Sequence, residues 1–332
     1  MGPTIFLPLI TYLCNKVIKK DIKMEIVWLL ISLVILYYGA EGLVFGASSL
    51  AKRLGISALV IGLTIVSIGT SMPELVVSVK AAMNGKSALS IGNVLGSNLF
   101  NIGIILGLSA IIYPLLAKKQ LLKFDVPVMI LTSVLFLILF LDSKISRIEA
   151  LFMVMLFITY TTYLLVSSKR NQKSKLNKYE DDNIKLTKHW SLDIIFIVVG
   201  LVALVYGSEL LVVNATIIAE QLGMSEAMIG LTIVAAGTSM PELATSVVAA
   251  IKKRSDIAIG NIVGSNIFNI LLILGVTGLI HPISTPEINY IDTIVVVALA
   301  IVLWFFMKLN ASIKRWQGTA FIILYIISYV DT

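Results

Sequence analysis

Residues 68–78 read IGTSMPELVVS, with a proline and an ionisable glutamate, Pro73 and Glu74, side by side in a stretch apolar enough to lie in lipid. The signature returns as AGTSMPELATS at 236–246, with Pro241 and Glu242 in the same places. Working outward, IGLTIVSIGTSMPELVVSVKAAMNGKSALSIGNVLGSNLFNIGIILG (61–107) aligns without a gap with IGLTIVAAGTSMPELATSVVAAIKKRSDIAIGNIVGSNIFNILLILG (229–275). Roughly three positions in five are identical, and the constant offset reaches back to YGAE (38–41) against YGSE (206–209). The chain is an internal duplication.

Composition places the duplication in a membrane. The 332 residues are 58% hydrophobic and only 14% charged, with a mean hydropathy of +0.97, outside the range of soluble globular domains. Apolar stretches long enough to cross about 30 Å of hydrocarbon recur as helices, near 25–51, 57–83, 88–116, 122–141, 147–167, 192–219, 225–251, 256–280, 290–308 and 314–330. The expected fold is an all-α polytopic membrane protein of about ten transmembrane helices in two five-helix repeats. An odd number of spans per repeat makes the second copy enter from the opposite side, the inverted-repeat plan of secondary transporters, whose sites lie near the midplane where interrupted helices meet.

The expected divisions are an extension at 1–23, a first repeat at 24–167, a polar linker at 168–191 and a second repeat at 192–332. About 18 Lys and Arg lie on the linker's side of the membrane against about 7 on the other, which makes the linker cytoplasmic and puts both termini outside. The formal charge of +7 is mostly these loop cations, so no nucleic-acid partner is called for. Trp190, Trp304 and Trp316 near span ends read as interfacial anchors, and Lys80, whose counterpart is Val248, as snorkelling. Residues 1–23 place Lys16, Lys19, Lys20 and Lys23 on the wrong side, and they lack the order of a signal peptide. Two readings stay open: an artefactual extension with initiation at Met24, or an interfacial arm. A lone cysteine, Cys14, excludes an internal disulfide and a cysteine metal cluster.

Pro73 and Pro241 lack the N–H that would bond the carbonyls of Gly69 and Gly237, so each helix should kink and free carbonyls at Gly69, Thr70, Gly237 and Thr238. Freed carbonyls in lipid must line a cavity or bind something, and hard cations suit them. A mid-membrane carboxylate costs about 2.5 kcal/mol or more, so retaining Glu74 and Glu242 argues for a bound cation. The following helices carry GNVLGSNLFN and GNIVGSNIFN. Their glycines permit close helix contact, while Ser97, Asn101, Ser265 and Asn269 project oxygens at i, i+4 spacing. Glu41 and Glu209 also recur, as pathway, packing or supporting residues.

These paired motifs, GTSMPE followed by GSN-hydrophobic-FN, resemble the α-repeats of the cation/Ca²⁺ exchanger superfamily, in its prokaryotic sodium/calcium exchanger branch, from about Met24 onward. The resemblance implies that Glu74 and Glu242 are shared Ca²⁺ and Na⁺ ligands, with backbone oxygens of Thr70 and Thr238 completing the Ca²⁺ site. It implies that Ser97 and Ser265, with backbone oxygens of Ser67 and Ala235, form flanking Na⁺ sites, that Asn101 and Asn269 line the middle, and that Ser71 and Ser239 support the carboxylates. It further implies that the first and sixth spans slide as a gating pair. Many members of this branch have aspartate at the position of Asn269, so H⁺-coupled or K⁺-dependent exchange stands as the alternative to Na⁺ coupling. A cation channel, the distant alternative, would use rings of charge around a pore and would not need an inverted pair of interrupted helices, and coupling of Ca²⁺ flux to a second ion gradient separates the two. An enzyme would need a nucleophile with a base or a metal cluster, and no His, Cys or Asp accompanies the motif. The reading implies transported Ca²⁺ and Na⁺, no resident cofactor and no obligate protein partner beyond the bilayer.

Overall fold

The structure, a computed structural model, describes residues 6–173, 186–224, 233, 235–285 and 290–330. The first half holds α1 (Phe6–Leu54), α2 (Ala58–Thr70), α3 (Met72–Met83), α4 (Ser87–Ile112), α5 (Leu121–Leu139) and α6 (Arg147–Lys173). The second holds α7 (Trp190–Gln221), α8 (Ala235–Gly237), α9 (Met240–Ile251), α10 (Ser255–Ile280), α11 (Tyr290–Asn310) and α12 (Arg315–Val330). Among the described residues seven helices are long and apolar enough to cross a membrane, or eight if α2 and α3, bent by 46°, count as one broken span. The first part of the span expected at 225–251 lies outside the described residues; its second part is α9. The backbone of α1 runs unbroken from Phe6 past Met24, because no proline or glycine between Leu9 and Tyr38 interrupts it.

Helix ends repeat at the same offset as the motif. α1 stops at Gly55, whose φ of +64° lets Ile56 N–H reach Ala51 O at 3.0 Å; α7 stops at Gly223, φ +82°, with Met224 N–H on Ala219 O at 3.0 Å. Both are glycine-terminated caps that satisfy carbonyls the helix leaves open. The remaining left-handed residues also fall in repeat pairs, Gly85 with Lys253 and Ser143 with Ala311.

The two halves are joined at their loops. β1 (Leu115–Leu116) pairs with β4 (Ser312–Ile313), and β2 (Lys144–Ile145) pairs with β3 (Ile283–Ser284), both antiparallel. By the repeat offset β1 corresponds to β3 and β2 to β4, so each ladder joins one strand from each half, and one ladder mirrors the other.

The core centres on α10, 94% of whose apolar window is buried, against 61% for α4. Gly260 and Gly264 let α10 lie directly on α2: a Cβ there would stand 2.8 Å from Leu59 O and 2.7 Å from Leu63 O. On α4, added Cβ atoms at Gly92 and Gly96 meet nothing within 4 Å; the residues corresponding to the packing face of α2 begin at 227 and fall largely outside the described ones.

α1 and α7 pack along each other, with Gly39 and Gly200 face to face. Their ends are tied to the last described residues of the linker. Arg53 Nε donates to the buried Asp193 at 2.8 Å and Arg53 Nη2 to Thr187 O at 2.8 Å, while Thr187 Oγ1 donates to Asp193 Oδ1 at 2.7 Å. Both helices also pack on α9, where Lys252 pairs with Glu41 of α1; among the described residues neither packs comparably on α3. Trp190 and Trp316 are exposed, whereas Trp304 bonds Leu122 O through Nε1 at 3.0 Å.

Candidate ion-binding site

The site is built on two matching helix breaks. α2 ends at Thr70, Ser71 turns with φ −86° and ψ 11°, and α3 restarts with Pro73 in its first turn. In the second half Ser239 turns with φ −89° and ψ 8° before α9, with Pro241 in the same place. The prolines sit in first turns, where the missing N–H is least costly, so each break falls at a serine just ahead of its proline. Glu74 and Glu242 occupy the first turns of α3 and α9, where the positive end of the helix dipole favours a carboxylate.

Both glutamates are buried, Glu74 at 0% and Glu242 at 1% exposure. Each is held by the other half. Ser71 Oγ donates to Glu242 Oε1 at 2.6 Å, and Ser239 Oγ lies 3.1 Å from both Glu74 Oε1 and Ser97 Oγ. The support expected from Ser71 and Ser239 therefore crosses between repeats. Asn101 and Asn269 open wide π-helical turns, Asn101–Ile105 in α4 and Asn269–Leu274 in α10, a local widening common at functional sites. Among the described residues, five buried oxygens of the expected set have no hydrogen-bond partner: Glu74 Oε2, Glu242 Oε2, Asn101 Oδ1, Asn269 Oδ1 and Ser265 Oγ. An all-oxygen set with two carboxylates, lacking sulfur and imidazole, suits hard cations such as Ca²⁺. Among the described residues no group of three or more His, Cys, Asp or Glu forms a conventional metal cluster.

The expected backbone donors are less uniform. Ser67 O accepts from Ser71 N–H at 3.1 Å, and Thr70 Oγ1 lies 3.3 Å from it while standing nearer, at 3.1 Å, to Asn261 Oδ1, so the single hydroxyl proton has two acceptors in reach. The carbonyl of Gly237, expected to be free, is taken: Ser208 Oγ of α7 donates to it at 2.5 Å. The residue corresponding to Ser208 is Ala40, which has no hydroxyl to offer Gly69. Ala235 opens the short α8, and its side chain is outside the described set. Glu41 is half-exposed and paired with Lys252, while Glu209 is exposed.

Sequence reasoning missed the asparagines that open GNVLGSN and GNIVGSN. Asn93 Nδ2 donates to Glu74 O at 3.2 Å and Ser78 Oγ at 2.9 Å; Asn261 Nδ2 donates to Glu242 O at 3.4 Å and Ser246 Oγ at 3.0 Å. Asn98 was missed too: it donates to Asn266 O at 3.3 Å and accepts from Asn269 Nδ2 at 3.0 Å. The signal was present, since all of these asparagines recur at the repeat offset.

Comparison with known proteins agrees with this geometry. The family described as "Sodium/calcium exchanger protein" matches residues 24–166 and 192–330. The chain is 35% identical to "Sodium/calcium exchanger MaX1" of Methanosarcina acetivorans, over 90% of this chain and 95% of that one. It is 39% identical to "Putative antiporter CaxA" of Alkalimonas amylolytica, over 77% of this chain and 81% of that one. Among solved structures it is similar to the sodium-calcium exchanger NCX_Mj, with a TM-score of 0.81 and 32% identity, covering 93% of this chain and 99% of that one.

Proposed function

The chain belongs to the sodium/calcium exchanger protein family, and from that premise we propose that it is a secondary-active antiporter that moves Ca²⁺ against Na⁺ by alternating access, extruding Ca²⁺ across the cell membrane. In this reading ten helices cross the bilayer in two inverted repeats, α9 and α12 included, with both termini outside and the linker cytoplasmic. The observation that carries it is the crossed site: two repeat-related glutamates, each held by the other half's serine, with five buried oxygens left without a partner among the described residues. Buried oxygens without hydrogen bonds are costly unless something else satisfies them, and a desolvated divalent cation does so. Glu74, Glu242 and the backbone oxygens of Thr70 and Thr238 hold Ca²⁺. Ser97, Ser265 and the backbone oxygens of Ser67 and Ala235 serve flanking Na⁺, with Asn101 and Asn269 between.

With both glutamates ionised the site carries about −2, which Ca²⁺ neutralises and three Na⁺ overshoot by one. Three flanking and central places favour three-for-one, electrogenic exchange. The test is Ca²⁺ flux in proteoliposomes under an imposed Na⁺ gradient, then under an imposed pH gradient, each with and without voltage. Flux driven by Na⁺ and sped by an inside-negative potential is expected, at up to ~2.3 kcal/mol per 100 mV for each net charge moved. Flux driven by the pH gradient alone would transfer the reading to H⁺ coupling, and a voltage-insensitive reversal point would make the exchange electroneutral.

A further inference from the structure

Asn261 ties three elements together with one amide. Its Oδ1 accepts from Thr70 Oγ1 at 3.1 Å, at the end of α2 in the opposite half, while its Nδ2 donates to Glu242 O and Ser246 Oγ in α9. Because Glu242 O can only accept, it fixes which end of the amide is nitrogen. Asn93 repeats the arrangement more loosely, accepting from Thr238 Oγ1 at 3.5 Å and donating to Glu74 O and Ser78 Oγ. Asn261 is fully buried, so its three bonds have no competing water. Neither asparagine belongs to the proposed ion-contacting set; each joins the backbone carbonyl of a proposed glutamate ligand in one half to the side-chain hydroxyl of a threonine in the other, whose own backbone oxygen is a proposed ligand.

Resting on the exchange reading above, we propose that Asn261, and more weakly Asn93, are positioning residues that set the preference for Ca²⁺ over Na⁺. The clamp holds the Thr70 backbone at a fixed distance from the Glu242 turn, so that carbonyls and carboxylates from both halves converge on one point. Ion–dipole attraction scales with the charge of the ion, and Ca²⁺ takes six to eight oxygens. A carbonyl allowed to drift therefore costs the divalent ion about twice what it costs the monovalent one.

The experiment is equilibrium binding of ⁴⁵Ca²⁺ to the purified full chain in detergent, with Na⁺ displacement measured on the same samples. Asn261→Ala is expected to weaken Ca²⁺ binding about tenfold and Na⁺ binding less than about threefold. Thr70→Val, which keeps the side chain's shape and the backbone oxygen while removing only the hydroxyl, tests the clamp even if Asn261→Ala folds poorly. It should shift selectivity the same way, and the double variant should be no worse than the stronger single one. Equal losses for the two ions, no change in the ratio, or additive effects would overturn the positioning role. Failure of the unaltered chain to bind Ca²⁺ would instead overturn the exchange reading, and the positioning role with it.

Discussion

The two breaks share their backbone angles, at Ser71 and Ser239, and their glutamates are held in mirrored fashion, yet among the described residues the second half carries contacts the first lacks. Ser208 occupies the carbonyl of Gly237, Lys252 pairs with Glu41, and both α1 and α7 pack on α9. The symmetric part is the proposed ion site, where a cation would draw oxygens from both halves. The asymmetric part joins the α1/α7 pair to the rest. Two identical inverted halves would give two facing states of equal energy. On the exchange reading proposed above, contacts present in one half alone would remove that equality, and a difference as small as YGAE against YGSE would bias which state is occupied.

The symmetric part is tested by Glu74→Gln and Glu242→Gln. Each keeps the shape and removes one of two charges, and each should cut Ca²⁺ transport by about 100-fold or more, roughly 2.7 kcal/mol. Flux assays on variants that still insert check this; near-normal transport in one of them would show that the halves are unequal at the ion itself.

The asymmetric part is tested by Ser208→Ala, which strands a buried carbonyl. It should lower stability by about 1–2 kcal/mol, read as an earlier thermal unfolding midpoint in detergent. Because Gly69 already lacks such a partner, Ala40→Gly in the first half should produce no comparable effect beyond the roughly 0.5–1 kcal/mol of helix propensity. Equal shifts from the two changes would erase the distinction.

Pro73→Ala and Pro241→Ala sharpen it further. A new N–H at residue 73 finds Gly69 O without a hydroxyl partner from α1, so recovery of that helix bond should weaken Ca²⁺ and Na⁺ binding by about fivefold, the size of one hydrogen bond. At residue 241 the new N–H competes with Ser208, and about a twofold change is expected. Unchanged affinities in both variants would show that neither break supplies ligands.

The smallest effect concerns Lys253, which sits at φ +57° where its counterpart is Gly85. Replacing it with glycine relieves a left-handed side chain but adds unfolded-state freedom. The net gain should be about 0.5 kcal/mol, measured by thermal unfolding; a loss would mean that the lysine's charge outweighs its backbone strain.

Much of this was legible in the sequence because it rests on local chemistry repeated at a fixed offset. Pro73 and Pro241 announced the broken helices, and the glycines of GNIVGSN announced a close helix contact, which the structure makes between α10 and α2. Other features were hidden for physical reasons. A repeat shows that Ser71 and Ser239 are equivalent but not that each serves the other half's glutamate, which depends on how the halves interlock. Asn93 and Asn261 carry no charge, so their recurrence attracted no attention beside the glutamates. Ser208 differs from Ala40 by one hydroxyl, and only the approach of α7 to Gly237 gives that oxygen a task.

The mirrored loop ladders bear on how the chain is made. β1 and β2 emerge from the ribosome with the first half, but their partners lie at 312–313 and 283–284, more than a hundred residues later. The first half thus enters the bilayer with two short main-chain edges uncovered, and these close only after nearly the whole second half has been synthesised. Biogenesis is in that sense a single late event: a chain truncated before Ile283 leaves both edges open to quality control, and fragments cut within the linker must be made together to cover each other.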